Sequence, residues 1–159
     1  MTVENPLGKA VAEATPLPTF EAFTGVRNIV FTGVGGTGVV TIGALLGMAA
    51  HLEGKGVSVL DMSGLAQKYG AVMSHVKIAP DPADVHVARL GTGDAGLVIG
   101  CDLVVTASAD ALDKMQPGGT RALVNATTAP TAAFVKNPDW RLPGSDLQRD
   151  VSEIGRAHV

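Results

Sequence analysis

The chain has 159 residues, 46% of them hydrophobic and 17% charged, with a formal net charge of −3. That gives room for one domain with a core of its own and is too apolar for a disordered chain, while the mild acidity, without a Lys/Arg cluster, argues against nucleic acid as a partner. The single cysteine, Cys101, rules out a disulfide or an iron–sulfur cluster held within the chain; 20 glycines against 4% aromatic residues suit Val, Leu, Ile and Ala packed closely on a largely parallel α/β sheet.

Residues 1–25 read as a leader or flexible linker punctuated by Pro6, Pro16 and Pro18, and residues 26–159 as the folded domain. No basic segment followed by an apolar run comes after Met1, so a cytoplasmic location is expected. The span Ile29–Leu52 is apolar enough to raise a membrane crossing, but its glycine turn and threonines fit a strand, turn and helix better. No membrane partner is expected.

The first strand is placed at Arg27–Thr32 and the first helix at Gly38–Leu52, with Gly33, Gly35, Gly36 and Gly38 in the turn between them. Ile42, Leu45, Leu46, Ala49 and Leu52 recur at helical steps and form one apolar face. A second strand at Val57–Leu60 leads to Asp61, and a third at Val72–Ile78 follows the loop at Met62–Gly70. Further on, Val85–Leu90 reads as a short strand, Asp94–Gly100 as a helical turn and Leu103–Ala107 as a buried strand. A short helix from Ser108 or Ala109 through Met115 and a strand at Arg121–Asn125 come next. Thr127–Pro143 reads as irregular, and Ser145 and Gln148 as the capping box of a last helix with Leu147, Val151 and Ile154 on its apolar face. The fold expected is α/β: a Rossmann-like, three-layer domain with a mostly parallel sheet. The link from Val57–Leu60 to Val72–Ile78 is too short for a standard helical crossover, so part of the sheet can be antiparallel.

Gly33, Gly35 and Gly38 satisfy G-x-G-x-x-G between a strand and a helix, and Asp61 follows 23 residues after Gly38, where a ribose-binding acid belongs. Two roles are open to these glycines. They can cradle a phosphate at the helix start, or they can let a helix, strand or second domain pack closely. Gln67, Lys68 and Gly70 are expected on the same edge as the Gly33–Gly38 loop and Asp61. Lys68 is either a point charge for a phosphate or a solvated surface lysine. His75 has no partner at metal spacing and reads as a surface or interface histidine. Ser74 reads as bonded to backbone, and Cys101 as buried and inert. No Ser/His/Asp set, carboxylate pair or metal cluster assembles, so no residue is assigned a catalytic or metal-binding role.

Thr32-Gly-Val-Gly-Gly-Thr-Gly-Val-Val-Thr41, then Asp61, then Gly64-Leu-Ala-Gln-Lys-Tyr-Gly-Ala-Val-Met-Ser-His-Val76 together resemble the gamma module of 2-oxoacid:ferredoxin oxidoreductases. Within that family the stretch is most similar to the indolepyruvate ferredoxin oxidoreductase branch, of the bacterial type in which the module is fused to thiamine-binding parts. The likeness runs from about Asn28 to Gly144. It implies a part of an enzyme that decarboxylates a 2-oxoacid on thiamine diphosphate and Mg, passes electrons through iron–sulfur clusters to ferredoxin, and hands the acyl group to coenzyme A. The resemblance puts the thiamine sites and cluster cysteines on partner modules. It leaves Gly33, Gly35, Gly36, Thr37, Gly38, Asp61, Gln67, Lys68 and Gly70 as the cofactor-side residues of a chain that is non-catalytic alone. Two alternatives stand beside it: a free-standing NAD(P)- or FAD-binding Rossmann oxidoreductase domain, and an inert remnant that only assembles. Tyr69 stands where the family usually has glycine, and the module normally continues through further helices, so a C-terminal truncation is expected. Tyr69→Gly is expected to improve assembly with the thiamine-binding partner; pull-down yields that stay level or fall would contradict this.

Overall fold

A computed structural model describes residues 24–64, 70–126, 144–154 and 156–158. The expected leader falls almost wholly outside the described residues, as does the irregular stretch at Thr127–Pro143. Among the described residues, nine stretches of helix and strand precede the final pair: β1 (Arg27–Val34), α1 (Val39–Leu52), β2 (Gly56–Ser63), β3 (Ala71–Ala79), a 3₁₀ turn (Pro82–Asp84), β4 (Leu97–Gly100), α2 (Leu103–Thr106), α3 (Ala109–Leu112) and β5 (Arg121–Val124). The pair is α4 (Gly144–Ile154) and β6 (Arg156–His158), a strand that the sequence did not suggest.

One six-stranded sheet joins them in the order β2-β3-β1-β4-β5-β6. β1, β4, β5 and β6 are parallel neighbours. β3 is antiparallel to both β1 and β2, so β2 points the same way as β1 and β3 alone runs against the rest. The sheet is therefore mixed, as the short β2–β3 link allows.

Both faces of the sheet are covered. Phe31, Val39, Val72, Val76 and Ile78 form a core under α1. Val30, Met73, Leu90, Val98, Leu103 and Val151 form the other, beneath α2 and α4. β3 lies between these layers, so the alternation of its side chains separates two buried faces, not a buried and an exposed one. This corrects the placement of His75, which is fully buried.

The apolar face expected of α1 is also corrected, except at Leu46, which is half-buried and packs against the core under the helix. The residues that it buries are Val39, Gly43, Gly47 and Ala50. Leu45, Met48 and Leu52 are 66%, 58% and 79% exposed, and Ile42 and Val40 are exposed too. The cause is steric. A Cβ on Gly43 would run into Ser74 Oγ, and one on Gly47 would come within 2.7 Å of Val59 Cγ2. At Gly43 and Gly47 the helix thus sits too close to β2 and β3 for a larger side chain to fit beneath it.

Three further expectations are corrected. Leu97–Gly100 is a strand and Leu103–Thr106 a helix, the reverse of the periodicity reading. Leu97–Gly100 pairs with Ile29–Thr32 on one side and Arg121–Val124 on the other. Asp102 accepts from the Val105 N–H at 2.9 Å and caps the following turn as a helix. Val85–Leu90 is not a strand; the Leu90 N–H goes to His75 Nδ1 at 3.0 Å and not to a ladder. The last helix begins at Gly144, so Ser145 is inside its first turn and not its cap.

Ser74 was expected to bond to backbone, but its buried Oγ has no hydrogen-bond partner. An unsatisfied hydroxyl costs about 1–3 kcal/mol, so Ser74→Ala is expected to raise stability by roughly 1 kcal/mol. Gly43→Ala is expected to lower it by about 1–3 kcal/mol through overpacking. Urea unfolding of both single variants and the double should show positive coupling, because Ser74→Ala removes the atom that the new Cβ meets. Strict additivity would contradict this packing.

Candidate functional site

The carboxyl ends of β1 and β2 and the start of β3 share one edge. Gly33, Val72 and Ser63 stand in one row of the register. Beyond it, the β1–α1 turn is built by two kinds of glycine. Gly33 and Gly35 make room: a Cβ on Gly33 would lie 2.6 Å from Val39 Cγ2, and one on Gly35 would lie 3.4 Å from the Gly70 carbonyl oxygen. Gly36 and Gly38 have φ of 87° and 92° with open space where a Cβ would go, so they are needed for the shape of the turn.

The chain itself uses part of the loop's hydrogen-bonding capacity. Gly35 N–H donates to the Gly70 carbonyl at 2.8 Å, and Thr37 donates to the Val34 carbonyl through N–H at 3.2 Å and Oγ1 at 2.6 Å. No side chain caps α1, leaving the N–H groups of Val39, Val40 and Thr41 at its open first turn. Val40 and Thr41 join Gly35, Gly36 and Gly38 around a shallow cavity of about 240 Å³.

Asp61 does not meet this loop in the way a dinucleotide fingerprint requires. It pairs with Ser74, which pairs with Phe31. β3 therefore stands between Asp61 and β1, setting the acid two strand spacings away, about 9.5 Å, instead of one. It is also two residues short of the Gly33 row. Of the residues expected to share the edge, the structure brings together Gly33, Gly35, Gly36, Thr37, Gly38 and Gly70, and holds Asp61 apart. Gln67 and Lys68 are outside the described residues.

On the opposite face lies a cleft of about 230 Å³ with Met62, Met73 and Val105 in its wall and Arg89, Ser108, Asp110 and Lys114 at its polar side. Lys114 is buried and pairs with Asp113 at 2.6 Å. The hydrogen bonds from Lys114 and Thr92 hold the Asp113 carboxyl below the usual carboxylate range. Behind the cleft, His75 Nδ1 accepts from Leu90, which leaves the ring proton on Nε2, facing Met73 Sδ at 3.0 Å. Burial, and then the charges of Lys114, Arg89 and Lys77, push the His75 pKa down. Sequence reading missed this cleft because its residues are scattered over β2, β3 and the segments near α3, with no motif spacing among them.

Cys101 is half-buried, and burial raises its thiol pKa, which is unfavourable to a nucleophilic thiolate. Among the described residues, no three His, Cys, Asp or Glu side chains converge as metal ligands, and no helix is long and apolar enough to cross a membrane.

With the loop and the reversed third strand in view, comparison with known proteins is direct. A family model described as pyruvate ferredoxin/flavodoxin oxidoreductase matches residues 28–158. The chain belongs to that family. Among proteins similar to this member of the pyruvate ferredoxin/flavodoxin oxidoreductase family is the indolepyruvate oxidoreductase subunit IorB of Thermococcus kodakarensis. It is 39% identical over 72 residues, 45% of this chain and 34% of the relative. The IorB subunit of Methanothermobacter thermautotrophicus is 25% identical over 126 residues, 79% of this chain and 61% of the relative. The matched stretches thus span from about a third to three-fifths of these relatives' lengths.

Solved structures agree on the fold. Pyruvate oxidoreductase subunit PORC of Thermotoga maritima superposes with a TM-score of 0.50 at 22% identity, covering 71% of this chain and 56% of that one. The 2-oxoglutarate:ferredoxin oxidoreductase of Magnetococcus marinus, solved with 2-oxoglutarate, coenzyme A and succinyl-CoA bound, gives 0.55 at 17% identity, covering 69% of this chain but 18% of that one. The α/β fold of this family is the one expected from the sequence.

The His75 environment yields a pH prediction. Its folded-state pKa lies below the ordinary 6.5, so below that pH the unfolded chain binds a proton that the folded chain refuses. Its contribution is whole above about 6.5 and is lost as pH falls toward the folded value, by up to about 1.4 kcal/mol per pH unit. Unfolding free energies at pH 7.5, 6.5 and 5.5 should fall with pH in the parent chain and fall less steeply in His75→Gln. Equal slopes would contradict a buried neutral imidazole.

Proposed function

We propose that this chain is the gamma-type module of a thiamine-dependent 2-oxoacid:ferredoxin oxidoreductase of the indolepyruvate type, working in the cytoplasm. It takes part in oxidative decarboxylation of an aryl or similar 2-oxoacid to its acyl-CoA, with electrons leaving to ferredoxin, and is non-catalytic alone. The family match over residues 28–158 supports this reading, as do the IorB relatives.

The observation that carries the choice over a nucleotide-binding oxidoreductase domain is the position of β3. β3 (Ala71–Ala79) pairs along the whole of β1, and just before it the Gly70 carbonyl meets Gly35 N–H. A dinucleotide site needs the acid of β2 one strand from the glycine turn, and here that neighbouring place is filled. NAD(P) or FAD therefore does not fit this loop in the Rossmann manner. The donor set agrees with a supporting role, since one half-buried cysteine cannot hold an iron–sulfur cluster. Thiamine diphosphate, Mg and the clusters belong to partner modules in this reading.

The open N–H groups of Val39, Val40 and Thr41, with Gly36 and Gly38, are the part of the chain suited to an anionic group such as a phosphate of coenzyme A. Bound coenzyme A would supply the acyl-accepting thiol; this chain's contribution is to bind and orient.

Purification of the tagged chain from its own host, with native mass, thiamine content and absorbance near ~400 nm, tests the reading. The expected result is a large brown complex containing thiamine diphosphate, with no binding of NAD or FAD by the isolated chain. A small colourless species that titrates with NAD or FAD would overturn it.

A further inference from the structure

The cleft on the face away from α1 gathers unspent charges of both signs. Met62 and Met73 are register partners on β2 and β3, so their side chains stand together in its wall, with Val105 of α2 beside them. Arg89, Lys114, Asp110 and Ser108 form its polar side. Lys114 is 8% exposed, a rare state for a lysine. Its ammonium has three donors, and among the described residues it makes one hydrogen bond, to Asp113 Oδ2. Asp113 is fully engaged, because its other carboxylate oxygen accepts from Thr92. Arg89 and Asp110 are exposed. Among the described residues neither makes an ion pair, not even with the other across the cleft they share. Ser108 Oγ accepts from the Ala111 N–H, which leaves its O–H to donate.

We propose that this cleft is a binding site for a small zwitterion, an α-amino acid with an apolar side chain. Arg89, the remaining donors of Lys114 and the Ser108 hydroxyl take its carboxylate, Asp110 its ammonium, and the Met62, Met73 and Val105 wall its side chain. The site contains no residue of the glycine loop, and it stands on the cleft alone, not on the functional reading above.

Charge, size and wall select that class of ligand. With Lys114 offset by Asp113, Arg89 and Asp110 remain, one charge of each sign. A zwitterion leaves the cleft balanced, whereas a free anion meets Asp110 and a free cation meets Arg89 and Lys114. The volume of about 230 Å³ is below the roughly 300–1,000 Å³ of sites for drug-sized molecules, so it suits a single amino acid and not a nucleotide. The two thioethers are adaptable, which favours an apolar side chain of variable shape. The cleft is also held from behind. Leu90, next to Arg89, is fixed to His75 Nδ1 at 3.0 Å, and the same ring meets Met73 Sδ. An amino acid and its 2-oxoacid differ in the group offered to Asp110, an ammonium in one and a carbonyl in the other. The carbonyl leaves Asp110 facing a second acceptor, so the cleft tells the two apart.

The test is calorimetric titration of the purified full chain with L-leucine, L-phenylalanine, L-leucine methyl ester, 4-methyl-2-oxopentanoate and coenzyme A. The chains compared are the parent, Arg89→Gln, Asp110→Asn and, as a control on the 3₁₀ turn, Asp84→Asn. The parent is expected to bind L-leucine or L-phenylalanine at one site, and the ester and the oxoacid at least about tenfold more weakly. Asp110→Asn is expected to lower amino-acid affinity about tenfold without weakening the oxoacid, Arg89→Gln to lower both, and Asp84→Asn to match the parent. Arg89 and Asp110 are exposed, so melting should show the variants as folded as the parent. No amino-acid binding at ~10 mM would overturn the inference. Amino-acid binding unmoved by both cleft variants would overturn it too, by placing the ligand elsewhere. So would Arg89-dependent binding of the oxoacid or of coenzyme A without binding of the amino acids, the mark of a plain anion site. None of these outcomes alters co-purification with a thiamine-containing partner, so the function proposed above is judged separately.

Discussion

The pairing of β1 with β3, antiparallel over eight residues from Arg27 opposite Ile78 to Val34 opposite Ala71, is the constraint from which the other features follow. In a doubly wound sheet the strand after the first helix returns beside the first strand. Here β3 holds that place and β2 is moved to the edge. The same pairing lifts Gly70 to the glycine turn, where its carbonyl occupies Gly35 N–H, and encloses Ser74 and His75 between two layers of helix.

The sheet surface made by β2 and β3 sets how α1 can lie. Ser74 and Val59 are met by Gly43 and Gly47, so close packing on that side is achieved by the absence of side chains. Leu45, Met48 and Leu52 are then left on the outside, next to a loop whose remaining donors also face outward. One edge of the module is thus apolar and donor-rich together, while its interior is closed and charge-poor. That division is what the proposed function, a part that completes a larger assembly, asks of the chain.

Much of the scaffold was legible in the sequence because it is written in local terms. The strand–glycine–helix start at Arg27–Leu52, the strand at Val72–Ile78 and the last helix all carry a period or a turn residue that physics reads directly. What was not legible depends on neighbours. Leu97–Gly100 and Leu103–Thr106 are equally short apolar runs, and only pairing with β1 and β5 and the Asp102 cap tell strand from helix. The burial of His75 follows from coverage of both faces of β3, which alternation cannot report. For α1 the rule itself failed: hydrophobicity marks Leu45 and Leu52 as core, whereas Ser74 and Val59 admit only glycine. Of the site, the loop glycines were recognisable by motif, but Asp61 looked well placed because spacing along the chain cannot reveal that another strand intervenes. The cleft at Arg89 and Lys114 had no signal along the chain.

Hydrogen exchange of the chain, alone and within the assembled oxidoreductase, tests most directly the claim that this is a module with one covered edge. The first-turn amides of Val39, Val40 and Thr41 lack intrahelical partners and should exchange fast in the isolated chain. In the assembly they and the Gly36–Gly38 amides should slow markedly, with β4 and β5 unchanged. Equal exchange in both states would contradict the account.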